Sequence, residues 1–407
     1  MFIVPPSAML IRDTPPLHLT YCLNIHRGES WAENFAAIRE KAMVVRDHVA
    51  DGKRFGLGLR LGHQAAEDLR SPEKRREARE FFGANNLYAF TINGFPYGKF
   101  HAGRVKENVY SPDWRTAERR DYTLLLADIL ADLLPDGIEG SISTVPCSFK
   151  PWITTTADVE TMVGNLVDCA KSLHEIHERT GKEIHLGLEP EPNCYLETTE
   201  ETVRFFNESL FAVGREKLSR ALGCDTQRAE EILRRHIGVC FDTCHVAIQF
   251  EDLAESLQRY KVEGIRISKI QVSAALRGHS TPASLEALGP FCEPVYFHQV
   301  KARTRSGAIS SWDDLPEALR DLPARDDVQE LRVHFHVPLF VERYWALGST
   351  AGTLTPEFFA EVHKGATSHL EIETYTFDVL PEDLRAQDVT HSIASEYKWL
   401  LPHLTKS

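Results

Sequence analysis

Several things are missing from these 407 residues. The eight cysteines include no CxxC pair, and the only close pair, Cys240 and Cys244, lies inside the segment FDTCH. In a chain this long, that scatter reads as reduced, mostly buried thiols rather than a disulfide framework or a zinc ribbon. No stretch reaches the roughly 18 consecutive apolar residues of a membrane span. Residues 1–16 (MFIVPPSAMLIRDTPP) lack a basic run followed by an apolar run of secretory length. A cytoplasmic protein that is not embedded in a membrane is the expectation.

Positive charge is also scarce. Lys and Arg number 46 against 59 Asp and Glu, a formal net charge of −13, and no Lys/Arg cluster offsets it. Broad binding to a nucleic-acid backbone is therefore not expected. The phosphate loop GxxxxGK[ST], GxGxxG after a strand, GxSxG and HExxH are all absent. Nucleotide, flavin and nucleophilic-serine chemistry gain no support.

What is present is alternation. Eight short β-like runs recur at 18–25, 55–61, 87–93, 140–146, 184–190, 238–243, 267–273 and 369–375. Stretches of helical periodicity separate them. In WAENFAAIREKAMVVRDHV, for example, Trp31, Phe35, Ile38, Ala42, Val45 and Val49 share a face, and the pattern that ends near Gly181 is another. Strand–helix alternation of this kind builds a parallel sheet. Within the strands, Ile184, Leu186 and Leu188 oppose His185, Gly187, Glu189 and Glu191, while Leu370, Ile372 and Thr374 oppose Glu371, Glu373 and Tyr375. Val239 and Phe241 likewise oppose Cys240 and Asp242, and Ile270 and Val272 oppose Lys269, Gln271 and Ser273. One apolar row and one polar row suit a strand with a helix outside and a barrel interior inside; strands of an open doubly wound sheet are apolar on both faces. The expected fold is an α/β, (β/α)8 TIM barrel forming one domain over residues 1–407. A long insertion at about 274–368 separates the last two barrel strands. It carries two further β-like runs, at 295–301 and 331–340, and either could replace a barrel strand. A lid-like loop at about 94–115, with Phe95, Tyr97, Phe100, His101 and Trp114, follows the third strand.

Side chains at the C-terminal ends of barrel strands converge on one site. Here those ends offer Asn24 and His26, Asn93, Glu189 and Glu191, Asp242 with His245, Gln271, and Glu371 with Glu373; the insertion adds His298, His334 and His336. Carboxylates from strands five, six and eight facing one cavity repel unless a divalent cation lies between them. The donor types suit Mn, Mg, Zn, Co or Fe without choosing among them. Each residue also has a plainer reading. Glu189 and Glu191 could be a salt-bridged rim pair, Asp242 a helix cap, and His245, His334 and His336 hydrogen-bonded core histidines.

The acidic residue ending strand five, the acid followed by His after strand six, and the glutamates ending strand eight resemble the xylose-isomerase-like, or sugar-phosphate isomerase/epimerase, superfamily. More narrowly, LTYCLNIHRGESW, FGLGLRL, TINGFPYGKFHAGRVKENVYSPDW, SISTVP, LEPEPNCYLET, CFDTCH, KIQVSAAL, HFHVPLF and LEIETYTFDVLPEDL resemble the EboE family of TIM-barrel "metabolite traffic" proteins. The superfamily resemblance implies a divalent metal on Glu189, Asp242, a strand-seven residue and Glu371 or Glu373. The strand-seven position, often histidine in sugar epimerases, reads Gln271 here, a departure that His298 or His336 could repair. The narrower resemblance implies work beside a membrane-associated pathway that handles a small secondary-metabolite precursor.

The leading expectation is a metal-dependent isomerase or epimerase acting on a small sugar-like metabolite. Glu189, Glu373, His245 and His298 are its catalytic candidates, and Glu189, Asp242, Gln271, Glu371, Glu373 and His336 its metal ligands. Asn24, His26, Asn93, Glu191, Tyr97 and Trp114 are expected on the substrate. The alternatives are metal-assisted hydrolysis of a small phosphoester and a non-catalytic carrier or scaffold.

Overall fold

Eight parallel strands form the centre of the protein: β1 (Pro16–Tyr21), β2 (Phe55–Arg60), β3 (Leu87–Asn93), β4 (Gly140–Thr144), β5 (Ile184–Leu188), β6 (Ile237–Asp242), β7 (Ile267–Val272) and β8 (His369–Ile372). The computed structural model describes residues 9–98, 106–385 and 388–405. Each strand from β2 to β7 pairs with the next in sequence order, and β8 pairs with β1. A parallel bridge between Cys22, just past β1, and Gly58 of β2 closes the ring. This is the (β/α)8 barrel that the alternation predicts. A short strand, Leu10–Asp13, folds back antiparallel onto β1.

The two-residue period explains why these segments are strands. The outward rows, such as Ile184, Leu186 and Leu188 or Leu370 and Ile372, are buried against the surrounding helices. The inward rows are small or polar and meet across the barrel. Gly58 shows how tightly. A Cβ there would lie 2.0 Å from Oε1 of Glu371 and 2.8 Å from the carbonyl oxygen of Tyr21. No side chain fits while Glu371 stays inside.

The helices begin where local chemistry predicts. Ser30 and Glu33 form a capping box before Trp31–Ala37, and Thr155 and Asp158 form another before the 25-residue helix Thr156–Thr180. That helix ends on Gly181 at φ 72°, a left-handed conformation that costs glycine little.

The insertion builds a second sheet. Its six strands run Ile309–Trp312, Val300–Thr304, Val328–His336, Ala275–His279, Leu347–Ser349 and Arg343–Tyr344 in spatial order, with antiparallel pairing throughout. Both extra β-like runs therefore belong to the insertion rather than to the barrel. The first is a strand from Val300 onward; just before it the Gln299 carbonyl accepts the His334 N–H (2.8 Å), and the His298 N–H is donated to Oδ1 of Asp314 (3.1 Å). The two sheets share one continuous apolar core. The strand Val328–His336 ends at the barrel mouth, where the Val337 N–H is donated to the Ala274 carbonyl (2.8 Å) just beyond β7. Of the loop after β3, Phe100 and His101 lie outside the described residues.

Candidate metal centre

The barrel interior is layered, and the layers decide which predicted residues reach the mouth. One inward step below the mouth, Lys269 of β7 and Glu371 of β8 form an ion pair of 2.6 Å with both side chains fully buried. Asn93 joins them: its Nδ2 donates to Oε1 of Glu371 (2.8 Å), and its Oδ1 accepts from Lys269 Nζ (2.7 Å), Ser143 Oγ (2.9 Å) and Gln271 Nε2 (3.3 Å). The Cys240 thiol donates to Oε1 of Gln271 (2.9 Å). Gln271 and Glu371, expected among the ligands, and Asn93, expected on the substrate, are thus taken up by a hydrogen-bonded network beneath the site. The physical reason is register. The mouth begins one inward position later, at Ser273 and Glu373.

There the chain brings three carboxylates together. Oxygens of Glu189, Asp242 and Glu373 lie within 4.8 Å of one another, and all three residues are buried. Asp242 ends β6 and also caps the helix Thr243–Ile248: its Oδ1 accepts from the Cys244 N–H (2.7 Å), the His245 N–H (3.4 Å) and Ser273 Oγ (2.5 Å). Its Oδ2 is buried with no hydrogen-bond partner among the described residues. The cap therefore occupies one oxygen and leaves the other facing the cavity. Asn24, on the turn after β1, donates from Nδ2 to Oε1 of Glu373 (2.8 Å). Glu191 accepts from the Tyr110 hydroxyl (3.0 Å), while its Oε2 is buried and likewise unpartnered.

Three histidines adjoin the carboxylates. Nδ1 of His245 lies 3.0 Å from the Pro190 carbonyl, and Nδ1 of His336 lies 3.1 Å from the Glu373 carbonyl. Nδ1 of His334 lies 2.7 Å from Oε1 of Gln299, whose Nε2 donates to the Pro192 carbonyl (3.2 Å) and the Tyr110 hydroxyl (3.0 Å). Each Nδ1 faces an acceptor and carries the proton, which leaves Nε2 a bare lone pair. Asp242, His245 and His336 form a second group of donors within 4.8 Å of one another, and Cys244, His334 and His336 form a third.

Burial and like charge shape the titration. Burial, then the charge of Asp242, pushes the Glu189 carboxyl far above the usual range, and burial with Glu189 and Asp242 does the same to Glu373. Burial lifts Glu191 to about 8 against the pull of the Tyr110 hydroxyl. Asp242 moves the other way: burial opposes its charge, but His245, His336, a hydrogen bond with the Glu373 carboxyl and the Ser273 hydroxyl hold it low. Burial lowers all three histidines, His245 to about 4. Buried carboxyls that resist ionisation, an orphaned carboxylate oxygen and bare imidazole nitrogens fit a divalent cation, which removes the repulsion and satisfies the open donors. Glu189, Asp242 and Glu373 could hold it, with His336 adjoining.

Above the donors lies a small pocket open to solvent. Asn24, Glu189, Glu191, His245, His334, His336 and Glu373 form its base, and Phe95, Pro96, Val109, Tyr110, Tyr296, Phe297 and Tyr375 its walls. Lys106 also lines it, held by an ion pair with Asp314. Four expected residues lie elsewhere. The His298 ring is held on both sides, by the His334 carbonyl (2.8 Å) and by Glu293 (2.9 Å), and so has no nitrogen left for substrate. His26 bonds the Tyr21 hydroxyl (2.9 Å). Tyr97 donates to Glu118 (2.7 Å) and stacks on His63, and Trp114 is buried beside Cys147. Sequence reasoning missed Tyr110, Gln299 and Ser273. Only Ser273, on the inward row of β7, carried a signal that could have exposed it.

No known protein family matches the sequence, and no curated protein does. Among solved structures, the chain is similar to the probable 3-DHS dehydratase AsbF of Bacillus anthracis, involved in petrobactin synthesis: 13% identity and TM-score 0.48 over 94% of this chain and 98% of that one. It is also similar to the IolI protein with a bound zinc atom (13%, TM-score 0.46, 95% and 98%) and to an AP endonuclease, family 2, from Brucella melitensis (15%, TM-score 0.37, 63% and 78%). Likenesses this distant carry no functional argument. The barrel rests on its own strand order.

Proposed function

We propose that this protein is a divalent-metal-dependent enzyme of isomerase or epimerase type acting on a small sugar-like metabolite. The observation that carries the reading is the convergence of Glu189, Asp242 and Glu373, buried, with one oxygen of Asp242 unsatisfied. Glu189, Asp242 and Glu373 would hold the cation, which when bound polarises vicinal substrate oxygens and stabilises charge that develops on them. The chain's own residues do the rest. Asn24 fixes the orientation of the Glu373 carboxyl and Tyr110 that of Glu191. Glu189 and Glu373 are the candidates to take a proton from carbon and return it, with Glu191 facing the same space through its bare oxygen. The aromatic walls exclude water from the reacting centre. The resemblance to the EboE family extends the proposal to a pathway that moves or processes a secondary-metabolite precursor.

The three-histidine set favours a second reading, metal-assisted hydrolysis of a small phosphoester. One experiment separates the two. Ketoses, cyclic polyols and hydroxyketones are incubated with metal-loaded protein in deuterium oxide, and small phosphoesters in parallel. The isomerase reading expects deuterium at the carbon beside the carbonyl, abolished by chelation and lowered about 100-fold or more in Glu189→Gln. Phosphate release without carbon exchange would replace it with the hydrolase reading.

A further inference from the structure

The insertion sheet gathers a positive charge that no single stretch of the sequence contains. Its inner row, with Leu276, Val300, Leu331 and Val333, is buried in the core. Residues paired directly across antiparallel strands share a face, and the register lines up basic ones on the outward row. Lys301 pairs with Arg332, Arg332 with Arg277, and Arg277 with Gly348, which pairs in turn with Arg343 on the edge strand. Arg303, two residues beyond Lys301, lies on the same face opposite Glu330. Like charges directly opposite one another destabilise a sheet. Here they are gathered in a chain whose net charge is −13.

Part of that charge is answered inside the protein. Lys301 pairs with Glu197, and Glu330 engages both Arg332 (2.8 Å) and Arg303 (3.4 Å). The guanidiniums of Arg303 and Arg332 also lie 4.7 and 4.2 Å from the centre of the Phe250 ring. Burial, with the charges of Arg303 and Arg277, still draws Arg332 below its ordinary value against the pull of Glu330. Arg277 and Arg343 are exposed, and their guanidiniums have no hydrogen bond or ion pair among the described residues. The two line a surface groove with His279, Glu330, Glu342 and Trp345. Trp345 is 45% exposed and sits at φ 55°, in the first position of the two-residue hairpin loop between the paired Tyr344 and Leu347. Tight hairpins favour glycine where φ is positive, and a bulky side chain there is strained. Strain of this kind collects at binding and switch sites.

We propose that this groove docks an acidic segment of another protein, whose carboxylates meet Arg277 and Arg343 and whose apolar side chain covers Trp345. Guanidinium forks take carboxylates through two parallel hydrogen bonds, and Trp and Arg are the usual anchors of protein interfaces. Charge complementarity selects the partner. A chain at −13 repels an acidic segment over most of its surface and attracts it here, which steers the encounter to this face. The concave lining, with Glu342 at the arginines' side, suits a narrow segment better than a flat anionic lipid surface. The groove shares no lining residue with the pocket at the barrel mouth, so the proposal stands or falls apart from the metal reading.

The test is fluorescence anisotropy of a labelled acidic peptide, EEEWEEE, titrated with the full chain. A basic peptide, KKKWKKK, an oligouridine, and vesicles of phosphatidylcholine and phosphatidylserine in equal parts are measured beside it. The acidic peptide is expected to bind best. Its affinity should fall about tenfold or more in an Arg277→Glu, Arg343→Glu double variant, and should weaken as salt is raised. Trp345→Gly, which suits the left-handed backbone, is expected to keep the fold yet bind the peptide about threefold or more weakly. Circular dichroism checks the fold of each variant. Equal affinity in the wild type and the folded double variant would overturn the proposal, as would no binding of the acidic peptide. Tighter binding of the vesicles or the oligouridine would overturn it in favour of a lipid surface or a nucleic acid. A dimer in sedimentation that the folded double variant loses would replace the outside partner with a second copy of this chain. If the double variant does not fold, Trp345→Gly and the salt dependence decide.

Discussion

At the residue scale, the decisive feature is which of two neighbouring inward carboxylates carries a partner. Glu371 faces Lys269 at 2.6 Å with both side chains inaccessible to water, whereas Glu373 accepts from the Asn24 amide and lies beside the carboxyls of Glu189 and Asp242. A buried ion pair adds little stability as a pair, but removing one member strands the other charge. Lys269→Met is expected to cost about 3–5 kcal/mol. Adding Glu371→Gln should recover most of the loss, as read from urea unfolding. A single variant as stable as the wild type would show that the pair is not what holds this layer. The sequence placed Glu371 and Glu373 on one face but could not choose between them. The period of two specifies the face of a strand, not the height at which the barrel opens. Lys269 was visible on the inward row of β7, but its partner becomes evident only when β7 and β8 lie side by side in the found register.

At the element scale, alternation was strong enough to identify all eight barrel strands, because each has one apolar row to bury against helices. The insertion was less legible. Its β-like runs look like barrel strands when read alone, and only their antiparallel pairing with each other separates them. Hence His334 and His336 could be assigned to one strand face but not to the mouth. Asp242 shows that two readings of one residue can both hold, since it caps the helix Thr243–Ile248 with one oxygen and faces the cavity with the other. Asparagine caps about as well as aspartate, whereas alanine in place of a capping residue costs about 1 kcal/mol. In chelator-treated protein at neutral pH, Asp242→Asn is expected to keep the cap but to be less stable than the wild type, because the fold holds the Asp242 carboxyl in its charged form. Asp242→Ala should be less stable than Asp242→Asn. Equal damage from both substitutions in a denaturation curve would contradict the division of labour between the two oxygens.

At the scale of the whole molecule, the barrel and the insertion act on one pocket. β5, β6 and β8 and the turn after β1 supply its carboxyls and amide, and the strand Val328–His336 supplies two of its histidines. No helix among the described residues is long and apolar enough to cross a membrane. The central claim is that this shared pocket holds divalent metal, and elemental analysis of protein purified without a metal-chelating tag tests it most directly. The account predicts at least one equivalent of a divalent transition metal or magnesium in the wild type. It predicts none in a folded Glu189→Ala, Asp242→Ala double variant. Wild-type protein that holds no metal even after incubation with zinc, manganese and magnesium would contradict it.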